Sequence, residues 1–570
     1  MFGVLRLGSI IAIIAAFYFL WSFGMIYVVS AVVLLLIIFI RLVYKDLANK
    51  DAIKHLGHLI EINKDEIRAT EGEYFQFADG AMYLPKEHFY AADMDIFGHA
   101  SLYQLLNRTG SDMGAAQLAD WLLNPAKQTE IIERQSAIKE LTNKMNWRQD
   151  IQAYGRETNI RRSTFEKLMV WVHEPTLFLQ FTHWKWLRIV LPAIILSVVT
   201  AAIAEWIPLN VMYIFLLLYA TIAFQINKII SPLHDKLSKI VDELDALFLS
   251  ITLIEKEKFG SVFATRLQQN FISNNETASA KIKKLKKILD RLDIRYNIVL
   301  SAPLNLLLLW NLQQAIDLEK WKKQYAADLQ NWFNTLGVFE TLNSFAVFHF
   351  NNPEYCFPVL EEKHFFIEAV KLGHPLINKN KRVNNFIEID DRGKLFLVTG
   401  SNMAGKSTYL RSVGINIVLA MAGAPVCADS FCLSPVQLIS SMRIADNLEE
   451  STSTFYAELK KLKTVIDHVN ADEKVFILLD EILRGTNSLD RHTGSEALIK
   501  QLIRHKAAGI IATHDLALAE MKTSFPDNIL NYHFDVQVNN EELYFDYKLK
   551  PGVCNSLNAS ILMKKIGIEL

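Results

Sequence analysis

The stretch LVTGSNMAGKSTYLR, residues 397–411, decides how this chain reads. Its centre, GSNMAGKST at 400–408, fits G-x-x-x-x-G-K-[ST], a glycine-rich loop whose backbone N–H groups wrap nucleotide phosphates. The strand-like KLFLV precedes it and the helical YLRSVGINIVLAMAG follows, so the loop opens a helix whose N-terminal dipole favours anions. On this pattern Gly400, Ser401, Asn402, Met403, Ala404, Gly405, Lys406, Ser407 and Thr408 surround the nucleotide. Gly400 and Gly405 let the backbone approach, Lys406 reaches the β and γ phosphates, and Ser407 ligates Mg²⁺. ATP and Mg²⁺ are therefore the expected cofactors.

Downstream, KVFILLDEILRGTNSLD at 474–490 supplies a second element. Five apolar residues, Val475 to Leu479, form a buried strand that delivers Asp480 and Glu481 at its end. Asp480 is expected to hold Mg²⁺ and Glu481 to orient or deprotonate the attacking water. An acidic pair also suits an ordinary strand terminus, but its place after a phosphate loop favours the chemical role. A third apolar run, AGIIATH, ends in His514, placed to hydrogen-bond the γ-phosphate. The expected catalytic set is Glu481, His514 and Lys406. Near Phe386 the texture changes to short apolar runs alternating with helices, the pattern of a parallel α/β sheet, in a domain that begins around Glu354.

The other end of the chain has a different texture. Residues 7–40 carry no charge, and residues 22–24 offer a break near the middle. Each half approaches the roughly 20 residues that span a bilayer. A second apolar pair runs from 189–203 and 211–226, around AEWIPLN. Arg6, Arg41, Lys45 and Lys50 flank the first pair, and Lys185, Arg188, Lys228 and Lys236 flank the second, whereas the turns carry only Glu205. By the positive-inside rule both turns face outward and the rest is cytoplasmic. A cleaved signal peptide for the first pair, and a core hairpin for the second, are the competing readings. The run 298–310 contains Pro303 and Asn305, is too short to span, and reads as a buried core helix.

Residues 97–150 and 233–345 show apolar spacing of three and four, the pattern of long packed helices. Within them KIKKLKKILDRLDIR, 281–295, is a basic amphipathic helix. Lys281, Lys283, Lys284, Lys286 and Lys287 are its candidate DNA-phosphate contacts, with a solvated helix face as the alternative. The chain as a whole holds 60 Lys and Arg against 61 Asp and Glu, so no global basic field announces a nucleic acid. Four scattered cysteines show no CxxC spacing and read as reduced thiols.

GSNMAGKSTYLRS, STSTF at 451–455, DEILRGT and ATH follow in the order and spacing of the MutS DNA mismatch repair ATPases, a branch of the ABC ATPase class, which residues 355–570 resemble. DIFGHASLYQLLNRTGSDMGAAQLADWLLNP and ERQSAIKEL, within 93–139, look like the start of the MutS core and lever helices. The resemblance implies a head-to-tail dimer, in which Ser453 and Thr454 of one chain close the nucleotide of the other and Asp490 lies in the loop that crosses between them. It also implies DNA, mismatched or branched, as the substrate of the lever motion. The sequence departs from the family pattern at Ser401, Ala404 and Leu483, where Pro, Gly and Gly are usual. Only about fifty residues precede the core after the first apolar pair, less than a domain, so the family's mismatch-binding domain is expected to be absent.

The resulting expectation is a multidomain, membrane-anchored ATPase in a multi-pass arrangement in the cell (inner) membrane. It has two transmembrane helical hairpins at 1–45 and 186–228. All-α core and lever segments occupy 46–185 and 229–353, and a C-terminal α/β P-loop domain of ABC/MutS type occupies 354–570. The rival reading is an ATPase driving a membrane or transport event without DNA. Against it, the apolar runs carry almost none of the polar residues that line a pathway.

Overall fold

The computed structural model describes residues 2–237, 240–273, 275–362, 365–401, 404–442, 454–539 and 542–554. The chain divides into two units, Met1–Asp65 and Glu66–Leu570. The first holds α1 (Phe2–Leu20) and most of α2 (Met25–Thr70). Between them residues 21–23 tighten into a 3-10 turn, and Gly24 takes φ +114°, a left-handed conformation open to a residue without a β-carbon. Arg6 of α1 pairs with Asp46 of α2 at 2.9 Å, so the two helices run antiparallel. Both are long and apolar enough to cross a membrane. The second extends well past the expected limit at residue 45, as a charged helix.

The second unit opens with a helical region. In chain order its helices are α3 (Leu102–Leu106), α4 (Asp112–Leu123), α5 (Gln128–Thr142), α6 (Met145–Glu157), α7 (Arg162–His173), α8 (Thr182–Ile203) and α9 (Leu209–Leu237). They continue with α10 (Val241–Lys256), α11 (Val262–Gln269), α12 (Ala278–Asp293), α13 (Ile298–Leu308), α14 (Trp310–Tyr325) and α15 (Leu329–Asn351). A two-residue hairpin, β1 (Ile272–Ser273) with β2 (Glu276–Thr277), precedes α12. The central element is α15, packed against α4 and α5 and buried along most of its length, with Phe333, Leu336, Phe339, Leu342 and Phe345 buried at every third position. Glu340 sits among them, accepting from Ser111 N at 3.2 Å and Ser111 Oγ at 2.5 Å at the N-terminus of α4. Gly114 admits that carboxylate, since a β-carbon there would fall 2.0 Å from Glu340 Oε2.

α8 and α9 meet the same length and apolarity criterion for crossing a membrane as α1 and α2. They are not a core hairpin, because Ile203, Leu217 and Phe224 are 78%, 70% and 69% exposed. A surface of that kind calls for an apolar cover. The expectation of a buried core helix at 298–310 also needs correction. α13 ends at Leu308, lies along α8 and α9, and leaves Ala302, Pro303 and Leu308 exposed. Leu309, left-handed at φ +46°, then joins it to α14.

The C-terminal part is built on two sheets. β3 (Val359–Leu360), β4 (Ile367–Leu372), β5 (Asn385–Ile389) and β7 (Ser430–Leu433) form a mixed four-stranded sheet in the order β3-β7-β4-β5. β6 (Leu395–Thr399), β8 (Gln437–Ser441), β9 (Val475–Asp480), β10 (Ala508–Thr513), β11 (Ile529–Asn539) and β12 (Glu542–Pro551) form a six-stranded sheet in the order β12-β11-β6-β10-β9-β8. All neighbours in it are parallel except the edge pair β11–β12. Alternate residues face opposite cores: Phe396, Val398, Phe476 and Leu478 join the helical region's core, while Leu395, Leu397, Ile477 and Leu479 join a second one. α16 (Lys406–Ala422) packs on the first face, and α17 (Thr454–Asn470) and α18 (Ser488–Arg504) supply the second. Burial on both faces is why these strands read as continuous apolar runs. Asp93 ties the helical region to the sheet, accepting from Ser440 Oγ at 2.8 Å, with Arg411 bridging to Asp95 at 3.3 Å.

Candidate nucleotide site

β6, β10 and β9 are adjacent and parallel, so their C-terminal ends lie side by side. Thr399 is in register with Thr513, and Ala512 with Asp480. Three motifs far apart in sequence therefore open onto one edge of the sheet, the edge where parallel α/β folds bind ligands. Gly400 follows β6 with φ +149°, and a β-carbon there would fall 2.9 Å from the Phe534 carbonyl oxygen. Gly405, φ +105°, ends the loop and begins α16 under the Tyr547 ring. Both positions are closed to larger residues.

Lys406, 4% exposed, donates from Nζ to the carbonyls of Gly400 at 2.9 Å and Ser401 at 3.0 Å. Burial pulls its ammonium below the ordinary range, against the opposing charges of Glu481 and Asp480. Ser407 Oγ donates to Asp480 Oδ2 at 2.5 Å. The other carboxylate oxygen, Asp480 Oδ1, is buried without a hydrogen-bond partner among the described residues. An unpartnered buried acceptor is costly. A hydroxyl and a carboxylate with a free oxygen are the hard donors that suit Mg²⁺, so these residues fit that ion.

Glu481 adopts φ +51°, and its N–H donates to the Ala512 carbonyl at 2.9 Å. Its carboxylate meets His514 Nε2 and, at 3.1 Å, Arg484 Nε. Burial pushes that carboxyl up, but the hydrogen bond and charge of His514, with Arg484 and Lys406, outweigh it and hold it below the usual carboxylate range. His514 Nδ1 faces the Gly400 carbonyl at 2.8 Å, so this ring spans from the phosphate loop to the acidic pair.

Of the remaining expected residues, Ala404 is buried, Ser401 is half-buried and lends its carbonyl to Lys406, and Thr408 is exposed. Asn402, Met403 and Ser453 lie outside the described residues, and Thr454 opens α17. Asp490 is exposed in the first turn of α18, where Asn487 Nδ2 donates to it at 2.7 Å. Sequence reasoning missed Arg484 and Glu458. Their signals were position alone: one lies three residues after Glu481, the other one helical turn past STSTF.

The basic helix is α12, and its lysines do not form one phosphate-facing set. Lys281 is fully buried, paired with Asp328 at 3.0 Å and lying over the Tyr325 and Trp332 rings, so it is removed from the DNA contacts. Lys284 pairs with Glu276 at 2.5 Å and Lys286 with Asp245, which neutralises both locally. Lys283 and Lys287 are exposed.

A glycine-cornered loop feeding a helix, flanked by an acidic strand end and a histidine, has the geometry of a phosphate-binding site in an α/β fold. Comparison with known proteins then gives the family. MutS domain III matches residues 90–471 and MutS domain V matches residues 396–564, so this chain belongs to the MutS family, whose members carry an ATPase domain. It is 33% identical over 202 residues to MutS protein homolog 4 of Homo sapiens, covering 33% of this chain and 21% of that protein. It is 35% identical over 211 residues to the mitochondrial DNA mismatch repair protein mutS homolog of Sarcophyton glaucum, covering 36% and 21%. The DNA mismatch repair protein MutS of Natronomonas pharaonis is 30% identical over 210 residues, covering 36% and 24%. The matched part is about a fifth to a quarter of the length of these curated relatives.

Proposed function

We propose that this chain is a membrane-anchored ATPase of the MutS family that uses ATP binding and hydrolysis, in a dimer, to control its hold on mismatched or branched DNA duplex. The observation that carries the reading is the convergence of Lys406, the Ser407–Asp480 pair and the Glu481–His514 pair on one sheet edge. The triphosphate enters the loop at 400–406, and Lys406 exchanges its carbonyl partners for β and γ oxygens. Ser407 and Asp480 would hold Mg²⁺, which would supply charge neutralisation for the transferring phosphoryl group. Glu481, ionised at neutral pH, orients the attacking water, and His514 fixes Glu481 against the loop.

A second copy of the chain completes each site through Ser453, Thr454 and Asp490, and closing the pair moves the helical region. The four apolar helices hold the protein in the cell membrane with the nucleotide site on the cytoplasmic side, in keeping with the Lys and Arg residues that flank them. Lys283 and Lys287 are the lysines of α12 left to meet DNA phosphates.

The experiment is the ATPase rate of detergent-solubilised protein with no DNA, homoduplex, mismatched duplex and four-way junction, at two salt concentrations. Stimulation by one DNA form that weakens with salt is expected. A rate that no DNA form changes, together with absence of binding, overturns the DNA part of the reading.

A further inference from the structure

Glu458, on α17, is 2% exposed, and backbone N–H groups donate to both of its carboxylate oxygens. Its Oε1 accepts from Leu483 N, and its Oε2 accepts from Arg484 N at 3.1 Å. These two residues belong to the turn that leaves Glu481. In that turn both Glu481 and Leu483 are left-handed, φ +51° and +60°. A β-carbon disfavours that region, and it persists only where the surroundings impose it.

Two further contacts impose it. The Leu483 side chain is 8% exposed and packs into a notch on α18, because a β-carbon at Gly494 would lie 2.5 Å from Leu483 Cδ1. Gly485 passes so close to α17 that a β-carbon there would fall 2.6 Å from Phe455 Cβ. Arg484, held by its N–H, directs Nε to Glu481 Oε2 at 3.1 Å. The carboxylate fork of Glu458 thus fixes the backbone from which Arg484 reaches Glu481.

We propose that Glu458 is a positioning residue for Glu481: it clamps the strained turn at Leu483 and Arg484, and so ties the acidic pair to α17. The proposal rests on the reading of Glu481 as the group that acts on the attacking water. A leucine in a left-handed position makes the clamp necessary, and it makes α17, which starts at Thr454, move together with the acidic pair.

The test is Glu458→Gln in the full chain. The amide presents one acceptor oxygen where the carboxylate presents two, so one N–H of the turn loses its partner. The expected result is a kcat lower by on the order of tenfold to a hundredfold, with KM for ATP close to that of the parent and a thermal midpoint lower by only a few degrees. Adding Leu483→Gly restores most of kcat, because glycine takes the left-handed backbone without a clamp. Gly494→Ala, which crowds Leu483 from the α18 side, gives the same loss in kcat and keeps the test intact if Glu458→Gln misfolds. Unchanged kcat in both single variants overturns the proposal, as does a loss in kcat that tracks a falling thermal midpoint and is not rescued by Leu483→Gly. Glu481→Gln, measured alongside, separates two failures. Turnover that survives in it overturns the reading of Glu481 and the clamp with it, whereas turnover lost there but intact in Glu458→Gln overturns the clamp alone.

Discussion

Ser407 Oγ and Asp480 Oδ2 lie 2.5 Å apart although 73 positions separate the two residues. The first lies in the opening turn of α16 after the phosphate loop, and the second ends β9, two strands from β6 across β10. The parallel sheet brings them together, and the bond leaves Asp480 Oδ1 buried, with no hydrogen-bond partner among the described residues.

Asp480→Asn keeps the shape of that pair and removes its charge. The expected outcome is an ATPase rate reduced by on the order of a hundredfold, with a higher Mg²⁺ requirement and little change in fold. Titrating Mg²⁺ against the ATPase rate of both proteins checks this, and an unchanged Mg²⁺ dependence counts against the assignment.

Lys281 gives a prediction about stability in place of DNA affinity. Lys281→Met takes the cation from Asp328, which keeps the Ser273 hydroxyl as a donor, and is expected to cost about 2 kcal/mol in denaturant unfolding. DNA affinity of the folded fraction stays unchanged. Reversing the charge of Lys283 or Lys287 should leave stability alone and flatten the dependence of log affinity on log salt by about 1 each. A folded Lys281→Met variant that has lost DNA binding would refute the burial argument.

Which parts of this site were legible follows from what each signal reports. Buried parallel strands read as apolar runs, so Thr399, Asp480 and Thr513 mark strand ends without any tertiary information. Lys281 was readable but misread. It stands four, eight and eleven positions before Leu285, Leu289 and Leu292, all buried, so it lies on the apolar stripe of α12, whereas Lys283 and Lys287 lie on the other face. Counting lysines hid the face. Leu483 stood out as a departure from a usual glycine, and its φ of +60° shows what that glycine does. Its compensation by Gly494 and Glu458 passes through packing between α17 and α18, which local pattern does not carry. α13 failed for a related reason: an apolar run reports composition, and composition does not distinguish a core from an outward-facing apolar surface.

Glu340 makes stability depend on pH. Burial pushes its carboxyl up to about 7, against the hydrogen bonds from Ser111 and Gly110 that pull it down. The unfolded carboxyl titrates near 4.5, so between there and about 7 the folded chain binds the extra proton. Stability from this group therefore falls as pH rises through that window and is flat above it, with a total of about 3 kcal/mol at most. Glu340→Gln is expected to remove the slope. Unfolding midpoints of both proteins between about pH 5 and about pH 8 check it, and parallel profiles would show that Glu340 is ionised throughout.

The membrane arrangement makes the last prediction, and it turns on Glu205. This residue sits in the turn between α8 and α9 with φ +58°, next to Trp206, which is 83% exposed. If α8 and α9 cross the bilayer, the turn emerges on the outer side while α12 stays in the cytoplasm. The four native cysteines lie in the C-terminal part, and Cys427 and Cys554 are buried. With all four replaced by serine, a cysteine at Glu205 should react with a membrane-impermeant maleimide in intact spheroplasts. A cysteine at Lys283 should react only after permeabilisation, and the protein should stay in the pellet through alkaline carbonate extraction. Equal protection of both positions, with release by carbonate, would mean that α8 and α9 lay their exposed apolar faces against another protein and that no bilayer holds the chain.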